Sequence, residues 1–261
     1  MVPADGNDEP SELLYGLHAV REALRAGVRP IQRLLVLRQD RQFGDVVQRA
    51  KEKRIPVQLG PAAAFDRLVP GGKHQGVIAF VAAKAYVALD EILESARARN
   101  EPPFLLLLDG VEDPHNLGAV LRTAEAAGVH GICIPERRAV GLTSVVAKVS
   151  AGAIDHMPVS RASNLTRCIE DLKKAGIWVY GVEPSAEKIY TETDLTGPLA
   201  IVVGGEGEGI RPGVRKECDE LLRIPMMGKV ESLNVSAAVS VVLFEAVRQR
   251  NRKRMAVPTE P

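Results

Sequence analysis

Apolar and polar residues change rhythm at about Pro103. Beyond it, short runs that are apolar at nearly every position alternate with amphipathic stretches. "FLLLLDG", "GICIP", "IWVYGVE", "LAIVVGG" and "LLRIPM" read as strands, with helices at 116–127, 143–152, 164–175 and 210–218. Continuous apolar strands are buried on both faces, so the pattern predicts a parallel sheet covered by helices on each side. Upstream, "LLYGLHAVREALRAG" has apolar positions at helical spacing and stops at Gly27. "IQRLLVL", "PVQL" and "QGVIAFVA" predict strands, and "FGDVVQRAKEKR" and "AAAFDRLV" helices, which together make a small α/β unit. "LDEILESARARNEPP" is a polar helix closed by two prolines and reads as a linker. The expected plan is an α/β protein with a disordered tail at 1–12, a small domain at 13–85, a linker at 86–103, a sheet domain at 104–254 and a tail at 255–261. One segment stands apart. "SLNVSAAVSVVLFEAV", Ser232 to Val247, is apolar nearly all round, which predicts a helix buried along most of its girth with Ser232 at its mouth and Asn234 as its cap.

Composition narrows the class. The chain has 261 residues, 46% hydrophobic and 26% charged, which suits a globular protein with a sizeable core. Net charge is only +1, yet from Leu13 to Lys84 there are 13 Lys and Arg against 5 Asp and Glu, a local +8. A basic domain of this kind neutralises phosphates and steers onto nucleic acid. Its few aromatics (Tyr15, Phe43, Phe65 and Phe80) favour shape and backbone recognition of folded RNA over base stacking. Cys133, Cys168 and Cys218 form no CxxC pair, and the five histidines show no ligand spacing, so neither a disulfide framework nor a metal site is expected. The acidic start lacks a signal-peptide layout, and no apolar run is long enough to span a membrane. A cytoplasmic protein is the expectation.

Three constellations carry candidate chemistry. In "LLLLDGVEDPHNLGAVLRTAEAAG", Asp109 and Gly110 close a strand, Asn116 is placed to cap the next helix, and Arg122 lies on a strip of small residues with Gly118, Ala119 and Thr123. In "IVVGGEGEGIRPGV", glycines 204, 205, 207 and 209 follow a buried strand, but the spacing matches neither a dinucleotide fingerprint nor a Walker loop. Glu206 and Glu208 in that loop repel a pyrophosphate and suit a cationic ligand or a ribose hydroxyl. In "RIPMMGKVESLN", Ile224, Met226 and Leu233 around Gly228 make an apolar slot for a flat ring. The basic end "RQRNRKR" reads as a solvated helix terminus or an extra phosphate contact.

Taken in order, "NLGAVLRTAEAAG", "GGEGEGI" and "SLNVSAAV" resemble the three motifs of the SpoU (TrmH-like) branch of the SPOUT RNA 2'-O-methyltransferases, over about residues 104–250. "YGLHAVREAL" and "KHQGVIAF" resemble the substrate-binding domain of its RlmB group, which modifies a guanosine in large-subunit (23S) ribosomal RNA. The resemblance implies a deep trefoil knot in the sheet domain, S-adenosylmethionine as methyl donor, a homodimer, and large-subunit ribosomal RNA as partner. It places Gly204, Gly209, Ile224, Met226 and Leu233 against the donor, and Asn116, Arg122, Glu206, Ser232 and Asn234 around the reacting ribose. Arg122 is the family's candidate for activating the hydroxyl. A guanidinium keeps its proton, so clamping the adjacent phosphate and stabilising the developing alkoxide suits it better than acting as a base. A transfer-RNA or antibiotic-resistance enzyme of the same fold and a non-catalytic ribosome-assembly factor remain alternatives.

Overall fold

The computed structural model describes residues 11–38 and 41–256. In chain order they form β1 (Ser11–Tyr15), α1 (Leu17–Ala26), β2 (Ile31–Val36), α2 (Gly44–Glu52), β3 (Val57–Leu59), α3 (Ala62–Leu68) and β4 (Val77–Ala82). There follow α4 (Leu89–Ala98), β5 (Phe104–Asp109), α5 (Pro114–Ala126), β6 (Gly131–Pro135), α6 (Ser144–Val149), α7 (Ala153–His156) and β7 (Val159–Ala162). The remainder is α8 (Leu165–Lys174), β8 (Trp178–Val182), β9 (Lys188–Ile189), β10 (Leu199–Gly204), α9 (Pro212–Glu217), β11 (Glu220–Arg223) and α10 (Val235–Ala256). The chain divides into a smaller unit, 1–85 with 142–156, and a larger one, 86–141 with 157–261.

The smaller unit is a four-stranded sheet in the order β1-β4-β2-β3, antiparallel except for the β2–β3 pair. Its first segment differs from expectation. Leu13–Tyr15 are not helical; they pair with Phe80–Ile78 of β4, and the helix starts only after Gly16, whose φ of +95° breaks the strand. Leucines at 13, 14 and 17 satisfy both periods, and only the presence of β4 as a partner decides between them. The expected disordered tail lies outside the described residues up to position 10, and Glu12 already belongs to β1. Phe43 and Phe65 are fully buried, so neither is available for stacking.

The predicted helix at 143–152 appears as the shorter α6, ending at Val149, and is followed by an unpredicted short helix, α7; both belong to this smaller unit rather than to the sheet domain in which they sit by sequence. A buried ion pair fastens them there: Arg29 Nε lies 2.6 Å from Asp155 Oδ1, with both side chains under 5% exposed. Breaking such a pair from one side is strongly destabilising, because a charge is left without compensation in a poorly solvating interior.

The larger unit carries the predicted parallel sheet, with seven strands in the order β7-β6-β5-β10-β8-β11-β9, all parallel. Two strands, β7 and β9, are additions to the five expected. Leu105 and Leu107 of β5 and Ala200 and Val202 of β10 lie in register and face α4 and α8 in one apolar cluster. The alternate residues Leu106, Leu108, Ile201 and Val203 are equally buried, and α10 packs with β10 and α5. Helix α4, read above as a linker, buries Ile92, Leu93 and Ala96 in the first cluster and so forms part of the sheet's cover. Its polar appearance reflects one solvent-facing side. Two arginines of the basic end of α10 are engaged within the chain. Arg250 donates to the carbonyls of Pro102, Pro103, Leu195 and Gly197 and covers the Phe104 ring at 4.4 Å, while Arg248 pairs with Glu245 at 2.7 Å.

The start of β5 depends on a buried imidazole. His130 Nδ1 accepts the Phe104 amide at 3.1 Å, and Nε2 faces Glu101 Oε2 at 3.1 Å. An accepting Nδ1 places the proton of the neutral ring on Nε2. Burial holds the His130 pKa below its ordinary value, with Glu101 pulling the other way. A lowered histidine pKa stabilises the fold above the unfolded value of about 6.5 and loses that contribution as pH falls through the folded value. Calorimetry from pH 7 to 5 should therefore show Tm falling, and His130→Gln should remove that step. An unchanged pH profile in the variant would contradict this assignment.

Candidate active site

In a parallel sheet, ligands bind beyond the carboxyl ends of the strands where the strand order reverses. Here the chain runs outward from β5 to β7 and then returns, through β8, to insert β10 beside β5, so the reversal lies at the ends of β5 and β10. Those ends are Asp109-Gly110 and Gly204-Gly205, in register with one another.

The second of the sequence constellations folds as a closed loop. Gly209 N–H donates to Gly205 O at 3.2 Å, and Gly205 N–H donates to Asp109 O at 2.8 Å. Side chains are excluded at two positions: a Cβ on Gly204 would collide with the backbone of Gly209 and Ile210, and one on Gly205 with the Gly110 carbonyl. Gly209 also adopts φ +66°. The loop's exit is pinned by Asp109, whose fully buried carboxylate accepts from Arg211 N, Nε and Nη2 at 2.6–2.9 Å.

The predicted polar residues meet in part. Helix α5 is capped by Asp113, which accepts from the His115 amide at 2.9 Å, and Pro114 occupies its first turn. Asn116 was expected as the cap and is not; lying inside the first turn, it is free to point elsewhere. Its Nδ2 donates to Glu206 Oε1 at 2.7 Å, and Asn234 Nδ2 donates to the same oxygen at 2.7 Å and lies 3.1 Å from Asn116 Oδ1. A carboxylate only accepts, so both amides must turn their nitrogens to it. That orientation leaves Asn234 Oδ1 to cap α10, accepting from Ser236 N at 3.0 Å and Ser236 Oγ at 2.7 Å, as its position in the sequence suggested. One closed triangle thus joins α5, the glycine loop and the entrance of α10.

A cleft of about 580 Å³ opens beside this triangle, within the usual range for small-molecule sites. Gly204, Gly209, Ile224, Met226, Leu233, Glu206, Ser232 and Asn234 all line it, so eight of the ten expected residues share one cavity. Asn116 borders the adjoining pocket across Glu206. Arg122 reaches neither. It lies six residues beyond Asn116, well round the helix from it, and is exposed, with no hydrogen bond or ion pair among the described residues. Glu183, Pro184, Ser185 and Glu231 also line the cleft and were missed. The first three follow β8, which borders β10 only through a sheet order that no local pattern announces.

The cavity fits S-adenosylmethionine on its own chemistry. Ile224, Met226 and Leu233 offer an apolar face to a flat base, glycines let the backbone approach, and Glu206, Glu208 and Glu231 offer negative charge to a sulfonium. Among the described residues no cluster suits a metal ion, and no helix is long and apolar enough to cross a membrane.

Comparison with known proteins agrees with this geometry. The profile of the SpoU rRNA Methylase family matches residues 103–244. The chain belongs to that family. A second profile, described as RNA 2'-O ribose methyltransferase substrate binding, matches residues 13–87. A Bacillus subtilis protein named as a TrmH family tRNA/rRNA methyltransferase, YacO, is 49% identical over 210 residues, covering 80% of this chain and 84% of its own. The S-adenosylmethionine-bound rRNA methyltransferase of Sinorhizobium meliloti superposes with a TM-score of 0.75 at 26% identity, over 95% of this chain and 88% of its own. The A. aeolicus TrmH/SpoU tRNA modifying enzyme superposes at 0.54 and 27% identity, over 67% of this chain and 91% of its own. Membership makes the protein an S-adenosylmethionine-dependent RNA methyltransferase of the SpoU/TrmH type.

The glycine geometry gives a direct test. In Gly204→Ala the added methyl meets backbone held by the sheet and by Asp109–Arg211, so the loop must shift. Calorimetric affinity for S-adenosylmethionine should fall by about tenfold or more, roughly 1.4 kcal/mol, while the far-ultraviolet spectrum stays that of the parent.

Proposed function

We propose that the protein methylates the ribose 2'-oxygen of a guanosine in large-subunit (23S) ribosomal RNA and works as a homodimer in the cytoplasm. The observation that carries the ribosomal reading is the domain beyond the catalytic sheet. It matches a 2'-O-ribose substrate-binding profile and holds the local +8 charge. The rRNA methyltransferase neighbour superposes on nearly the whole chain, whereas the tRNA-modifying neighbour accounts for two thirds of it. The deep knot implied by the family's motifs belongs to the same proposal, and three free thiols suit a reducing compartment.

When bound, S-adenosylmethionine supplies an electrophilic methyl group. The chain's residues hold the acceptor: Asn116, Glu206 and Asn234 form a rigid polar wall, and Ser232 lines the cleft beside them. Such positioning of a weak nucleophile is worth several kcal/mol. Arg122 enters from a second copy. On α10 the stripe Ala237, Val241 and Phe244 is only partly covered, with Phe244 48% exposed and Val241 half-buried, and the helix is therefore fully buried on one side only, not along most of its girth as its composition suggested. Ala119, Arg122 and Ala126 form a parallel stripe on α5, which packs against α10 through Thr123 and Ser240 at 3.2 Å. Pairing these stripes about a two-fold axis buries the apolar face and carries each Arg122 towards the partner's cleft, where it clamps the phosphate and steadies the developing alkoxide.

Mapping 2'-O-methyl positions in ribosomal RNA from cells with and without the gene tests the substrate: one guanosine in the 23S molecule should lose its mark. If only a transfer RNA loses one, the ribosomal assignment fails. Arg122→Ala should keep the parent's Tm and donor affinity but slow single-turnover transfer about 10²–10³-fold, as for loss of one transition-state donor. Arg122→Lys should recover little, since a point charge does not reproduce a bidentate clamp. Transfer by the alanine variant at the parent's rate would remove Arg122 from the reaction.

A further inference from the structure

Two further cavities continue from the donor cleft, and their charges differ in sign. The middle one, about 470 Å³, shares Glu206 and Glu208 with the donor cleft and adds the carboxylates of Asp109, Glu112 and Asp113. The outer one, about 570 Å³, is lined by Arg137, Arg138 and Arg211 with the polar side chains of Ser163, Asn164 and Thr166, and no carboxylate lines it. Arg138 and Arg211 border both, so the three cavities form one continuous series.

Three guanidinium groups around one cavity repel each other unless something neutralises them. Arg211 is neutralised by Asp109. Arg138 has only an exposed ion pair with Glu208 at 3.4 Å, worth little in water. Arg137 has no hydrogen bond or ion pair among the described residues. Arg138 also holds φ +60°, a conformation an L residue adopts at some cost. Arg137, with no partner among the described residues, and Arg138, with only a weak exposed one, therefore face a concave polar surface, while the neighbouring cavity repels anions and accepts hydrogen bonds.

A nucleotide is divided in the same way, into a donor-bearing neutral ribose and base and an anionic phosphodiester. We infer that the outer cavity binds a phosphodiester of the target RNA strand through Arg137 and Arg138, so that the adjoining nucleotide lies in the middle cavity against Glu206. Arginine suits the task, since its planar fork pairs two phosphate oxygens at once. The inference rests on the assignment of an RNA ribose as acceptor, and it adds to the basic N-terminal domain a strand-holding site built into the catalytic sheet.

The test uses full-length protein and in vitro transcribed 23S ribosomal RNA. In the double variant Arg137→Ala/Arg138→Ala, RNA affinity at low salt should fall about tenfold, and the slope of log K against log salt should become shallower by about 1, because one phosphodiester is no longer neutralised. Affinity for S-adenosylmethionine should not change. The Arg137→Lys/Arg138→Lys protein should keep the parent's salt slope, because both charges remain. Should the double alanine variant fold poorly, Arg137→Ala alone should lower RNA affinity and make the slope shallower in the same direction. An unaltered affinity and slope in a folded alanine variant, beside a parent that methylates the RNA, would overturn the inference. A parent that transfers no methyl group to any RNA instead overturns the assignment on which it rests.

Discussion

Glu206 Oε1 accepts hydrogen bonds from two asparagines that lie 90 and 28 residues away, and the catalytic end of the larger unit depends on that shared oxygen. The glycine loop, the first turn of α5 and the entrance of α10 come from three distant stretches and have no ladder bonds to align them. The triangle supplies that alignment. It also explains why each residue type is needed. A carboxylate accepts twice without donating, and an amide can donate to it with its nitrogen while its oxygen accepts elsewhere, as Asn234 does in capping α10. Asp109 and Arg211 do the equivalent work one layer deeper, fixing the loop's two ends to the sheet.

The division of the chain into units does not follow the order of the sequence. Residues 142–156 leave the larger unit, deliver α6 and α7 to the smaller one, and return. The Arg29–Asp155 pair makes the arrangement hard to undo, since without Arg29 the Asp155 carboxylate would be buried with no ion-pair partner among the described residues. The smaller unit is therefore not an appendage ending at residue 85, and cutting the chain there would strip α6 and α7 of the sheet that they cover.

A further constraint comes from what a single chain leaves open. The stripes of α5 and α10 that carry Arg122 and Phe244 are made of residues suited to close packing, yet they are only partly covered. A helix that is apolar on both sides has almost no preferred face, so its sequence says that two surfaces will be buried without saying by what. The same ambiguity accounts for Arg122, which belongs to the family's motif and is nonetheless absent from the cleft of its own chain.

The sequence determined by itself whatever depends on short-range chemistry. Continuous apolar runs required a parallel sheet buried on both faces, and β5, β6, β8 and β10 appear where those runs predict them. Gly204 and Gly209, Ile224, Met226 and Leu233 were legible as a cleft because glycine spacing and apolar slots are local properties, and Asn234 was legible as a cap for the same reason. Tertiary structure alone decided where the pieces meet. Leu13–Tyr15 are a strand because β4 lies beside them, and α4 is a covering helix because β5 supplies its apolar partner. Asn116 faces Glu206 instead of capping because Asp113 took the cap. Glu183 borders the donor cleft because β10 is inserted between β5 and β8. Each of these depends on which distant segment supplies a partner, and a distant hydrogen-bond acceptor or apolar face leaves no mark on the residues that will meet it.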